Sequence, residues 1–165
     1  MNATPDDQHH QDRVVLLTSI PSPEADAAEP FVIASERQIA LVYRIASHDF
    51  DAFGPFDSDD DPFCLVILPS AAFHRLGVPG SDNLEIHPLS AHGIEAFRAH
   101  EVLDASLVEE MQSVLPSADP HAPALRHFVW TFDKTMFECV ATDCTLTGIY
   151  GNGDIALREA FSLFR

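Results

Sequence analysis

His127-Phe128-Val129-Trp130-Thr131-Phe132-Asp133-Lys134-Thr135-Met136-Phe137-Glu138-Cys139-Val140-Ala141 is the stretch on which the fold turns. Two runs rich in β-branched and aromatic residues flank Asp133-Lys134-Thr135, a short polar segment that reads as a hairpin turn. The reading pairs residues 127–132 with 136–142 as antiparallel strands. Strand parity then puts Phe137, Cys139 and Ala141 on one face and Met136, Glu138 and Val140 on the other. The first face reads as packing. The second places a carboxylate between two apolar neighbours on an inner strand. Such a carboxyl either has a raised pKa and serves as an acid or base, or, the reading favoured here, faces water at a sheet edge or pairs with an arginine.

Outward from the hairpin, other strands follow from composition. Val14 to Leu17 is a β-rich run closed by Pro21 and Pro23. Phe63 to Leu68 is a continuous apolar run of the kind found in strands buried on both faces. Ile94 to Leu103 and Thr145 to Tyr150 read as two more. Residues 35–46 admit two readings. Ser35 and Gln38 have capping-box spacing and would start a helix, whereas Ile39, Leu41, Tyr43 and Ile45 alternate as a strand does. The adjacent run Phe31 to Ala34 favours a hairpin. Ser70 to Leu76, followed by Gly77, reads as a short helix with a glycine C-cap. Ser106 to Glu109 is a second capping box, opening a helix that Pro116 ends. The last helix is expected over Asp154 to Phe164, capped by Asp154. The sum is an α+β fold with a mostly antiparallel sheet of about six or seven strands and two main helices. Residues 1–12 read as a disordered tail with no apolar periodicity, and 13–165 as one domain.

Composition narrows function by exclusion. The chain has 165 residues, 46% hydrophobic and 21% charged, an ordinary globular balance. Nine Lys and Arg stand against 26 Asp and Glu, a formal net charge of −17. Binding to nucleic acid or an anionic membrane requires cationic surface, so neither is expected. No signal peptide or membrane span is read, and three cysteines, Cys64, Cys139 and Cys144, form no secreted disulfide framework; the expected compartment is the cytoplasm.

Each catalytic motif fails on a named residue. Asp57-Ser58-Asp59-Asp60-Asp61 opens like an EF-hand loop, but Pro62 replaces the turn glycine and Leu68 the bidentate glutamate. Gly151-Asn152-Gly153-Asp154-Ile155-Ala156 fits a dinucleotide fingerprint, yet the nine residues that follow leave no second parallel strand. His87, His92, His100, His121 and His127 lack zinc-ligand spacing. Cys139 with His127 or His100 is the one nucleophile–base arrangement the strands could assemble. No cofactor and no metal are expected.

The hairpin also resembles a family of small, uncharacterised bacterial proteins whose hairpin reads roughly H-[FY]-I-F-T-F-H-D-S-T-F-E-C-V-A. That family tends to carry His-Pro-Leu before a strand, here His87-Pro88-Leu89, and a strand leading into a short helix, here Glu101 to Ser106. The resemblance covers about residues 84–142. Asp133-Lys134-Thr135-Met136 stands where the family has H-D-S-T, so its turn histidine is absent here. The resemblance implies a fold and a bacterial source, and no activity.

Two functional expectations follow. The first is a non-catalytic, immunity- or inhibitor-like protein that docks on a basic protein partner. Its partner-binding residues would be Asp57, Asp59, Asp60 and Asp61, in a loop with six aspartates and no Lys or Arg between His48 and Pro62. The alternative is a small-molecule enzyme or ligand-binding protein. Its pocket would lie between sheet and helices, lined by Trp130 and Phe132, with Glu138, His100 and His87 as its chemical groups.

Overall fold

In the computed structural model, which describes residues 11–26, 29–116 and 119–165, the quoted stretch forms the expected hairpin. β7 (Arg126–Thr131) pairs with β8 (Met136–Ala141), Arg126 opposite Ala141 and Thr131 opposite Met136. Phe132 donates its N–H to the Thr135 carbonyl at 2.8 Å and closes the turn. Around this pair assemble β1 (Arg13–Leu16), β5 (Phe73–Gly77) and β6 (Ala99–Leu103), giving a five-stranded sheet ordered β1-β6-β7-β8-β5. A second sheet holds β2 (Phe31–Ala34), β3 (Gln38–Arg44), β4 (Phe63–Pro69) and β9 (Thr145–Tyr150) in that order. Every pairing between strands is antiparallel.

The fold is therefore α+β and antiparallel, but in place of the expected sheet of about six or seven strands the described residues form nine strands in two sheets. The reason is burial on both sides. Phe128, Trp130, Phe137 and Cys139 project from one face of the hairpin into a core shared with Ile39, Leu41, Tyr43 and Val66 of the other sheet. Val129 and Met136 project from the opposite face, under Leu89, Ile94 and Ala105. The far side of the four-stranded sheet is covered by α3 (Gly153–Ser162), whose Ala156 and Ala160 let the helix approach Val42 and Leu65 closely. Strands covered on both sides are apolar at successive positions, which hides the second sheet from any period-2 reading.

Residues 31–44 are a hairpin: the Ser35 hydroxyl accepts the N–H groups of Arg37 and Gln38, so the capping-box residues build a turn instead of a helix. Ser70–Leu76 is not a helix. Its residues 73–76 belong to β5, which covers the open edge of β8 along Phe73 to Gly77. Backbone groups at that edge need partners, and satisfying them outweighs a modest helical propensity. The expected strand from Ile94 is paired only over Ala99–Leu103. Ile94 instead donates to the Leu89 carbonyl, and Phe97 is left-handed at φ 54.

Helix α2 (Ser106–Val114) starts at the second capping box, but Ala105 occupies the cap position. The Asp12 carboxylate takes its place, accepting from the Ser106 N–H at 2.7 Å and hydroxyl at 3.1 Å. Asp12 was read with the tail; residues 1–10 lie outside the described residues. Asn152, not Asp154, caps α3, its side-chain oxygen accepting from the Ile155 N–H at 3.0 Å. The acidic segment begins with a 3-10 turn over Ser47–Asp49 and α1 (Phe50–Phe53). No helix among the described residues is long and apolar enough to cross a membrane.

Candidate functional site

Glu138 lies mid-strand in β8 on the face turned away from the second sheet. β5 sets Arg75 directly opposite it, and the guanidinium Nη2 reaches Oε2 at 3.2 Å. β7 sets Val129 opposite it, which makes His127 its diagonal neighbour on the same face. His127 Nε2 lies 3.8 Å from Oε1. His87 comes from above, at the start of the 3-10 turn Pro88–His92, and its Nε2 lies 3.1 Å from the same oxygen. Glu138, His87 and His127 are all buried, whereas Arg75 is about half exposed. Four residues remote in sequence thus converge on one carboxylate.

The hydrogen bonds fix the roles. The Leu89 N–H donates to His87 Nδ1 at 3.1 Å, so that nitrogen is an acceptor and the imidazole proton sits on Nε2, where it donates to Glu138. Burial pushes the Glu138 carboxyl up. The His87 hydrogen bond and the neighbouring His87, His127 and Arg75 pull it down further, leaving it below the ordinary carboxylate range. The raised pKa of the acid-or-base reading is thus reversed, because the sequence neighbours are not the spatial ones, and the arginine-paired alternative is the one the Arg75 contact matches. Glu138 is an ionised acceptor at neutral pH, not a general acid. His87 has no free nitrogen with which to act as a base. A metal on Nε2 would require the proton on Nδ1, where the Leu89 N–H already points. Among the described residues no three His, Cys, Asp or Glu side chains are grouped as a metal ion requires.

His127 differs from both. Neither ring nitrogen has a hydrogen-bond partner, although the residue is only 4% exposed. Burial lowers its pKa, against the opposing pull of Glu138 and Asp12. His100, the expected partner of Glu138, is not in the cluster. It lies on β6 opposite Val129, its Nε2 accepting from the Glu95 N–H at 3.0 Å and its Nδ1 3.3 Å from the Val129 carbonyl. Both nitrogens hold backbone, which is a folding role. Trp130 and Phe132 are also removed from the expected pocket, because they project from the opposite face. Trp130 Nε1 donates to the Tyr43 hydroxyl at 3.1 Å, and that hydroxyl donates to the Pro21 carbonyl at 2.6 Å. Cys139 packs in the core between the sheets, where burial pushes its thiol up to about 12, so no Cys–His pair forms.

Arg75 is the member that sequence reasoning missed. Read as helical, it had no reason to face Glu138; read as an edge strand, it falls opposite by register. From the sequence His127 is weighed as a zinc ligand and as a partner for Cys139, though its parity with Glu138 is visible in the hairpin.

The acidic loop presents carboxylates under opposite conditions. Asp57, Asp59, Asp60 and Asp61 are all exposed. Asp60 accepts the Asp57 N–H at 2.7 Å, and Asp61 pairs with Arg44. Elsewhere Arg75, Arg98, Arg126 and Lys134 are each within 4.0 Å of a carboxylate. With Arg44, five of the nine cations are engaged by carboxylates among the described residues.

Comparison with protein-family models, with curated proteins and with solved structures finds no match to the chain.

Proposed function

We propose that the protein is a non-catalytic binding domain that docks on a basic protein partner through its acidic surface. The observation that carries this reading is the internal engagement of the cations. With five of nine Lys and Arg already paired, the negative field comes from carboxylates that have no cation of their own, Asp57, Asp59 and Asp60 among them. Such a field raises the encounter rate with a basic surface and repels nucleic acid and anionic lipid. The chemistry of the buried cluster supports the same reading, since its carboxylate is ionised and His87 is held at both nitrogens.

The test is capture from the native host at low salt, followed by association kinetics with Asp57, Asp59, Asp60 and Asp61 all changed to Asn. A basic protein should be recovered, and the variant should associate more slowly with a weaker dependence on salt. Recovery of a partner whose association ignores both salt and the substitutions defeats the reading.

One observation favours a second reading, a small ligand held at Arg75, His87, His127 and Glu138. His127 is buried without a hydrogen-bond partner, and a ligand bearing a donor or acceptor there would supply one. Mass spectrometry of the purified protein decides it: a metabolite that co-purifies with the wild type and is lost in His127→Leu supports the site. Its presence in both removes His127 from any binding role.

A further inference from the structure

At the β7–β8 turn, a cleft of about 280 Å³ opens between that turn and Glu24, Glu29 and Pro30. Leu76 and Phe132 form its apolar surface, and Glu24, Glu29 and Asp133 stand around it. Leu76 pairs with Phe137 and so lies on the core face of its strand, yet it is 41% exposed. An apolar group on a core face normally meets another. Lys134, the one cation among the described residues that line the cleft, is held by Asp82 at 3.0 Å and Asp133 at 3.7 Å. The cleft also adjoins the acidic loop: Glu24 donates its N–H to the Arg44 carbonyl at 3.0 Å, and the Arg44 side chain pairs with Asp61.

Resting on the basic-partner reading, we propose that this cleft is the anchor point of that partner and receives one of its arginine side chains. An arginine has a methylene stem that suits Leu76 and a charged head that suits the carboxylates. Glu24 selects arginine over lysine. Its Oε1 accepts the Ala25 N–H at 2.9 Å and its Oε2 the Ser47 N–H at 3.0 Å, so the carboxylate is fixed in orientation. Each oxygen keeps a second lone pair, and a guanidinium fork meets the two with parallel N–H donors, a geometric match that the point charge of an ammonium lacks. The loop aspartates steer; the cleft holds.

The experiment titrates the full chain, isotopically labelled for amide NMR, with blocked glycine peptides bearing a single arginine, lysine or citrulline. The arginine peptide should shift the amides of Leu76 and Asp133 to Thr135 and saturate. The citrulline peptide should not, and the lysine peptide should bind several-fold more weakly. Leu76→Ser combined with Glu29→Gln, both at exposed positions, should weaken arginine binding about tenfold. Glu24→Gln, first shown to keep the thermal midpoint, should abolish the preference for arginine over lysine. Shifts confined to residues 57–61, or affinity unchanged by the cleft substitutions, overturn the anchor. The two proposals fail separately. A captured basic protein that responds to the loop substitutions but not the cleft ones leaves the docking reading standing without this anchor. An arginine peptide seated in the cleft, with no basic protein captured, leaves the cleft and removes the docking reading.

Discussion

Glu138 and the aspartates of residues 57–61 carry the same chemical group in two different settings. Glu138 is buried, and Arg75 and His87 hydrogen-bond to it. The loop carboxylates face water, and only Asp61 has a cation. A buried carboxylate is tolerable only when partners replace its water, so the cluster is bound into the fold by that requirement. Solvent solves the same problem for the loop, which leaves its charges available to act at a distance. The neighbouring histidines repeat the contrast within the core: His100 has backbone partners at both nitrogens and His127 at neither.

The largest effect should come from Glu138→Ala. It leaves the His87 Nε2–H without an acceptor in a buried site and removes the link between β8 and the turn at residues 88–92. Arg75 is half exposed and can turn to water, which limits the cost. Urea unfolding should show a loss of about 2–4 kcal/mol. A loss below about 1 kcal/mol would place the cluster outside the stabilising core and dissolve the contrast with the loop.

His100→Leu and His127→Leu sharpen the second contrast. The first strands the Glu95 N–H and should cost about 1–3 kcal/mol. The second removes two orphaned polar atoms and should leave stability equal or higher. Equal losses in the two variants would mean that His127 has partners that stabilise the fold as those of His100 do.

Acid should act on the buried groups. The folded pKa values of His100 and His127 are lowered from 6.5 by burial, so the unfolded chain takes up protons first. Their contribution to stability is complete above about pH 6.5 and is lost as pH falls below it, by at most about 1.4 kcal/mol per pH unit per group. Glu138, lowered from 4.5, adds stability that is present above that value and lost as pH falls through its folded pKa. Unfolding free energies measured from neutral to acid pH should therefore fall in two stages. In His127→Leu the first stage should shrink and the second remain; an unchanged first stage would show that His127 is not buried neutral.

The smallest effect on stability belongs to the fourfold Asp-to-Asn loop variant. Like charges are relieved and one exposed pair with Arg44 is lost, so the thermal midpoint should correspond to a change within about 0.5 kcal/mol. A larger loss would show that the loop carries folding contacts.

Much of the fold was legible where the signal was local. The hairpin at 127–141, its two faces, the strand at 145–150 and the helices at 106 and 153 all follow from turn residues and periodicity within a few positions. The site was half legible. Glu138 and His87 were identified and do meet, while His100 was chosen over His127 and Arg75 was hidden by the helical reading of residues 70–76. Ala, Leu and Arg in that segment favour helix only while its surroundings are unknown.

Parity was the part the sequence determined by itself: a strand's side chains alternate whatever it packs against, so Glu138 had to leave the Phe137–Cys139 face. Charge balance was equally fixed, because composition does not depend on conformation. Tertiary structure alone decided which partners Glu138 meets, since Arg75 and His87 lie 63 and 51 positions before it in the chain. It also decided that the strands divide into two sheets and that Asp12 caps a helix 94 positions away. The same side chain raises or lowers its neighbour's pKa according to contacts that register and packing create, and those exist only once the whole chain has folded.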